Sequence, residues 1–200
     1  GGSQTSALCG GGGGRPAQNE SWDGTSWSEI AEQNTFRDQS GGAADSNTAG
    51  LIYGGEAPPV TNKTESWNGT AWTEVGDVNT ARDFGGTAGS STKALFYGGN
   101  ADPPFRADTE SWNGSRWTEI ADMSTARGSV YGAGTLNTAA LASGGYNGSR
   151  VSTVEELAVG APVGAFSTGG SMNTARDNSA GIGITTAALA VGGRSPSTGK

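Results

Sequence analysis

The chain contains no histidine, and so lacks the side chain most used as a general base and transition-metal ligand near neutral pH. Its single cysteine, Cys9, excludes an internal disulfide and is uninformative about compartment. Cys9 falls in an apolar strand pattern, so a buried, inert thiol is expected. Apolar residues make up only 33% of the chain. No run approaches the roughly 20 apolar residues of a membrane-spanning helix, and no signal-peptide pattern is present, so membrane insertion is not expected. Basic clusters are missing too. With 12 basic and 19 acidic residues the formal charge is −7, which argues against the counterion release that drives nucleic-acid binding.

What the chain does have is glycine, 36 of them, and six tryptophans at regular places. Glu20-Ser21-Trp22-Asp23-Gly24-Thr25-Ser26-Trp27 recurs 45 residues later at Glu65–Trp72 and again at Glu110–Trp117. An arginine follows each copy at constant offset, at Arg37, Arg82 and Arg127. A short apolar run ending in Gly-Gly forms a third landmark, as in Leu51-Ile52-Tyr53-Gly54-Gly55 and Leu95-Phe96-Tyr97-Gly98-Gly99. The fourth hairpin has drifted: Leu157 and Phe166 stand where tryptophans stood, with four extra residues between them, and Arg176 then resumes the pattern. Side chains that stay apolar while a turn lengthens are packing a core.

Asn-Gly and Asp-Gly favour tight hairpins. A two-residue turn at Asn68-Gly69 would pair Trp67 with Thr70 and Glu65 with Trp72, setting Trp67 and Trp72 diagonally on one face. Each repeat supplies four short strand candidates, in the second near 39–45, 48–53, 64–67 and 70–75. Such a unit cannot bury its faces alone, which predicts an all-β fold, a β-propeller of four-stranded antiparallel blades. The chain reads as one propeller segment over 1–200. Its approximate repeats are 1–37, 38–82, 83–127 and 128–176, with a partial one at 177–200. That is between four and five blades, expected to belong to a larger ring. The repeated tryptophans (Trp22, Trp27, Trp67, Trp72, Trp112, Trp117) and arginines (Arg37, Arg82, Arg127, Arg176) are read as its structural core.

The Gly-Gly pair, an aromatic in the third strand, a tryptophan in the fourth and then an arginine resemble the kelch repeat. Gly54-Gly55, Trp67, Trp72 and Arg82 occupy those places, with Trp67 where kelch proteins usually carry tyrosine. Phrases such as Thr-Glu-Ser-Trp-Asn-Gly-Thr and Asn-Thr-Ala-Arg also resemble repeats in predicted structural proteins of marine cyanobacterial phages. That resemblance implies a virion component of tail, fibre or capsid surface, located on an extracellular particle. Its expected partners are other virion or structural subunits, or a cell-surface glycan or receptor. The alternative is a lectin-like or protein-binding propeller with no viral connection.

No catalytic, metal or cofactor site is expected. Without histidine, the copper-oxidase chemistry of some kelch-like propellers is excluded. Glu20, Glu65, Glu110 and Glu155 recur once per blade and so lie apart, unlike a catalytic carboxylate pair. A structural pairing with the arginine 17 residues onward is expected in three repeats. Asn19, Asn62, Asn68, Asn113 and Asn147 begin Asn-x-Ser/Thr sequons, and three of these overlap Asn-Gly turns, so turn chemistry explains them more simply. Binding is expected in the loops that follow Gly-Gly, which vary between repeats. Their candidate anchors are Arg15, Glu56, Phe105, Arg106, Tyr146 and Arg150.

Overall fold

The computed structural model describes residues 2–11, 18–101, 104–158, 165–184 and 186–195. All its regular structure there is strand. The first blade holds β1 (Gly2–Ser3), β2 (Ser6–Gly10), β3 (Asn19–Trp22) and β4 (Trp27–Ile30). The second holds β5 (Gly41–Ser46), β6 (Ala49–Tyr53), β7 (Thr64–Trp67) and β8 (Trp72–Glu74). The third holds β9 (Gly86–Gly89), β10 (Ala94–Tyr97), β11 (Thr109–Trp112) and β12 (Trp117–Ile120). The fourth holds β13 (Tyr131–Leu136), β14 (Ala139–Ser143), β15 (Val154–Ala158) and β16 (Ala165–Thr168). Each is a four-stranded antiparallel meander. A fifth sheet pairs β17 (Asp177–Ile184) with β18 (Ala187–Arg194). The sheets are arranged as the blades of a β-propeller, the expected all-β class.

The first strand of each blade is innermost. β1 packs on β5, β5 on β9, β9 on β13 and β13 on β17, while no comparable contact joins β17 back to β1 among the described residues. These strands crowd the axis, which explains their small side chains. A Cβ on Gly132 would lie 1.8 Å from the Thr87 carbonyl oxygen of the preceding blade. The Gly-Gly landmark has a different cause. Gly54 and Gly55 take φ of +60° and +102°, a left-handed pair that residues with a Cβ adopt only at a cost.

The hydrophobic core lies between blades. Leu51 and Tyr53 of the second blade bury against Phe96, Trp112 and Trp117 of the third. Leu95 and Tyr97 of the third bury against Ala140, Ala142 and Leu157 of the fourth. The tyrosine hydroxyls reach across as well, Tyr53 to the Leu95 carbonyl and Tyr97 to the Leu141 carbonyl, both at 3.1 Å.

Two hairpin expectations are corrected. Trp67 pairs directly with Trp72, and Glu65 with Glu74, because the turn spans four residues rather than two. Asn68 Oδ1 accepts from the Thr70 and Ala71 backbone N–H groups, both at 2.9 Å. This Asx-turn satisfies the loop from its own first side chain, and Asn113 forms the same one. The tryptophans in turn are not all core. Trp67, Trp112 and Trp117 are buried, Trp22 and Trp72 are half-buried, and Trp27 is 49% exposed. The fourth-strand ring packs on the preceding blade: Trp117 meets Tyr53 at 4.7 Å between centroids, and Phe166 meets Tyr97 at 5.4 Å. Trp27 has no such neighbour among the described residues. Cys9, expected buried, is exposed on the same first blade. The lengthened turn around Gly160-Ala161-Pro162 lies outside the described residues, but the strands flanking it pair Leu157 with Phe166.

Candidate functional site

The recurring glutamates and arginines come together, though not as expected. Glu65, Glu110 and Glu155 each pair with the arginine 28 residues before, not one 17 after, whereas Glu20 is exposed. Arg37 meets Glu65 at 2.5 Å, Arg82 meets Glu110 at 2.6 Å, and Arg127 meets Glu155, every side chain essentially inaccessible. The linker carrying the arginine crosses to the next blade and docks beneath its third strand. The carboxylate is then gripped by the linker backbone: the N–H of Asn34 (2.6 Å) and of Thr35 (2.9 Å) both donate to Glu65. Burial lowers the pKa of Arg37 and Arg82, and the facing glutamate opposes that. Glu155 is pushed up by burial, but the Ser124 N–H and Arg127 outweigh it and hold it below the usual carboxylate range. These groups face one another in closed pairs and offer nothing to a substrate. Arg176 donates to the Gly192 carbonyl at 2.9 Å and faces no carboxylate among the described residues.

The variable loops gather on one face because β6, β10 and β14 end on the same side of the propeller. The same end receives the linkers, so loop and linker meet. Glu56 bridges to Asp38, Asn100 to Asp83, and Tyr146 to Gly128. Of the expected anchors, Arg15 lies outside the described residues. Phe105 and Tyr146 stack edge to face, centroids 5.7 Å apart, across neighbouring blades. Tyr146 is 37% exposed. Arg106 is held by Asp108, and Arg150 by Asp177 at 2.9 Å, so both guanidinium groups already have local partners.

Glu56 leads to a site that the sequence did not reveal. A cavity of about 500 Å³ opens beside it, walled by Pro58, Pro59, Val60 and Phe84 and edged by Asp83 and Asn100. Asp83 is only 7% exposed. Its Oδ1, like Oδ1 of Asn100, is buried without a hydrogen-bond donor. Burial first, then the charges of Glu56 and Asp38, push the Asp83 carboxyl up to about 6, with the Asn100 side chain pulling the other way. Phe84 sits next to it in a left-handed conformation at φ 51°, as do Gln39, Ser129 and Asn178 at the same place in the other linkers. The available signal was the residue after each linker arginine, which is aspartate at 38, 83 and 177.

Two further cavities carry less chemistry. The axial channel, about 510 Å³, is lined by small residues of the inner strands such as Ala43, Ala88 and Gly132. A cleft of about 120 Å³ lies between the first two blades, beside Cys9 and Trp72. Among the described residues no three acidic, cysteine or histidine side chains group to hold a metal ion.

No known family model matches the chain, and no curated protein does. Solved structures do match. The structure of YjhT superposes with a TM-score of 0.70 at 13% identity, covering 83% of this chain. The chain in turn spans 63% of that protein's length. At such low identity the likeness is one of fold, and it agrees with the propeller described above.

Proposed function

We propose that this propeller is of the kelch type and serves as a non-enzymatic structural or adhesion module of a bacteriophage virion. It would belong to the tail, fibre or capsid surface and contact other subunits or a receptor through its loop face. The observation that carries this reading is the division of labour between constant and variable residues. Three of the repeated arginines and three of the glutamates are consumed in buried pairs that clamp one blade to the next. The residues that change from repeat to repeat meet on one face, where Tyr146 is exposed and the cleft at Asp83 opens. A rigid frame presenting dissimilar loops suits protein recognition. It suits a lectin with one similar sugar site per blade less well, because the three described loop–linker junctions differ in chemistry: acidic, aromatic and ion-paired.

The test is a density map of the protein in its native particle, with its neighbours traced. The loop face or rim docked on other virion subunits is the expected result. A free ring holding sugar in equivalent pockets would overturn the virion reading in favour of the lectin.

A further inference from the structure

Linker, second strand and third strand meet in one repeated construction. Arg37 and Arg127 each donate to the carbonyl just past the second strand, Gly54 at 3.3 Å and Gly144 at 2.9 Å. Each then reaches the third-strand glutamate, Glu65 or Glu155. Those glutamates stand opposite Ile52 and Ala142, two residues before that carbonyl. The fifth junction follows the same pattern as far as the second strand. Arg176 Nη1 donates to the Gly192 carbonyl at 2.9 Å, and Asn173 and Thr174 keep the bend made by Asn34 and Thr35. Beyond it, β18 pairs only with β17 among the described residues. Arg176 is half-buried there, whereas Arg37, Arg82 and Arg127 are fully buried. The fourth blade differs from its predecessors on the facing side. Leu51 clusters with Trp112 and Trp117 of the next hairpin, and Leu95 with Leu157 and Phe166. Leu141, at the equivalent place, is only half-buried.

We propose that the edge of β18 is a docking site for a β-hairpin of the repeat's own type, presented by a neighbouring polypeptide and added to the fifth sheet as its third and fourth strands. The three filled junctions fix the chemistry of that hairpin. Its first strand carries a glutamate two residues before a large apolar side chain, as Glu65 precedes Trp67, Glu110 precedes Trp112 and Glu155 precedes Leu157. In the shared register the glutamate stands opposite Ala190, where Arg176 and the N–H groups of Asn173 and Thr174 receive it. Those two N–H groups meet no backbone acceptor among the described residues. A carboxylate so placed forms charge-assisted bonds to all three, and a neutral side chain leaves the guanidinium uncompensated. The second strand carries an aromatic ring that covers Leu141, as Phe166 packs on Tyr97 at 5.4 Å. The unpaired backbone of the β18 edge supplies the ladder, and the arginine and Leu141 supply the selectivity. The chain's own exposed repeat glutamate, Glu20, is no substitute. Its strand β3 is already paired with β2 and β4, so it cannot add to β18 without leaving its blade. The site lies at a sheet edge rather than on the loop face, and it rests on the virion reading only for the identity of the neighbour.

The experiment is an NMR titration of the ¹⁵N-labelled chain with a synthetic peptide of residues 105–122, which holds Glu110, Trp112 and Trp117. The peptide is closed by a disulfide between added terminal cysteines, because an isolated hairpin is marginal in water. Saturable shifts are expected at Thr174, Arg176, Ala188 and Ala190, with slowed hydrogen exchange along β18. Glu110→Gln in the peptide is expected to weaken binding at least about tenfold through loss of the charge-assisted bonds. Arg176→Met in the chain should remove that difference, so that both peptides bind alike; simple edge pairing would not respond in this way. Trp117→Ala in the peptide should also weaken binding. The spectra report in the same measurement that each variant is folded. Absence of saturable shifts at β18, equal affinity of the two peptides for the unaltered chain, or a difference that persists in Arg176→Met would each overturn the proposal. Shifts confined to the second, third and fourth blades would overturn it too, by showing displacement of a resident hairpin. Self-association of the chain alone, lost in Arg176→Met, would replace the neighbouring polypeptide with a second copy. Because the probe is a free peptide, the result is independent of the particle map. A hairpin site can stand where the virion reading falls, and the reverse.

Discussion

Glu110 accepts from the backbone and side chain of Asn79, from the Thr80 N–H and from Arg82, all in a site that water does not reach. Arg82 also lies 4.3 Å over the Phe96 ring. A buried pair of this kind adds little net stability compared with an apolar replacement, but removing one member strands the other charge. Glu110→Ala is therefore expected to cost about 3–5 kcal/mol, read as a lower urea midpoint. The double replacement Arg82→Met with Glu110→Leu is expected to cost less than the single change. Asp83 behaves in the opposite sense to the clamped glutamates. Its folded value of about 6 lies above the ordinary 3.8, so it favours folding below about pH 3.8 and loses that contribution as pH rises through about 6. Above that pH the ionised group is a cost. Asp83→Asn should raise stability at pH 7 by on the order of 1–2 kcal/mol and leave it nearly unchanged at pH 4. Glu155, held low by Ser124 and Arg127, contributes above its ordinary 4.5, and that contribution is lost as pH falls through its depressed folded value.

At the scale of the element, the hairpin shows how far a motif can be read. Strand positions, turn residues and the placing of two aromatics on one face were legible, because the Asn-Gly signal and the alternation depend only on neighbours in sequence. The register was not. One carbonyl oxygen of Asn68 turns a two-residue loop into a four-residue one, and that shifts Trp72 from Glu65 to Trp67. The division of labour between the tryptophans was hidden for a similar reason. A third-strand indole donates within its own blade, as Trp67 does to Asn47 and Trp112 to Ser91. A fourth-strand indole donates to the blade before, as Trp72 does to Ala31 and Trp117 to Thr64. Nothing in a single repeat distinguishes the two. The consequence is testable by equal substitutions at equivalent sites. Trp117→Ala should destabilise by about 3–5 kcal/mol, the usual range for a buried aromatic. Trp27→Ala, on a half-exposed ring, should cost under about 1 kcal/mol. Comparable losses would show that the fourth-strand ring works inside its blade.

For the whole molecule, the repeat announced four-stranded blades and their spacing along the chain, but not how one blade holds the next. The arginine 17 residues onward was the nearer candidate for each glutamate in sequence, yet it is carried away by the linker. The Asp83 cleft was invisible for the same reason, since its walls come from one blade's loop and the next blade's linker. Crowding at the axis sets a further constraint on the assembly of blades. Gly132→Ala places a methyl against the Thr87 carbonyl and within 2.4 Å of the Tyr97 hydroxyl. It should lower the thermal midpoint, at a cost of about 1–3 kcal/mol or more. Gly170→Ala, which meets nothing within 4 Å, should leave it unchanged.

The clamps also impose an order on synthesis. In each of the three complete pairs the arginine leaves the ribosome 28 residues ahead of its glutamate, and the glutamate belongs to the third strand of the following blade. A nascent chain that has finished one blade therefore holds its linker arginine uncompensated until most of the next has emerged. Each of the first three blades is thus sealed by its successor, and completion advances along the chain in one direction, like a zip whose slider moves with translation.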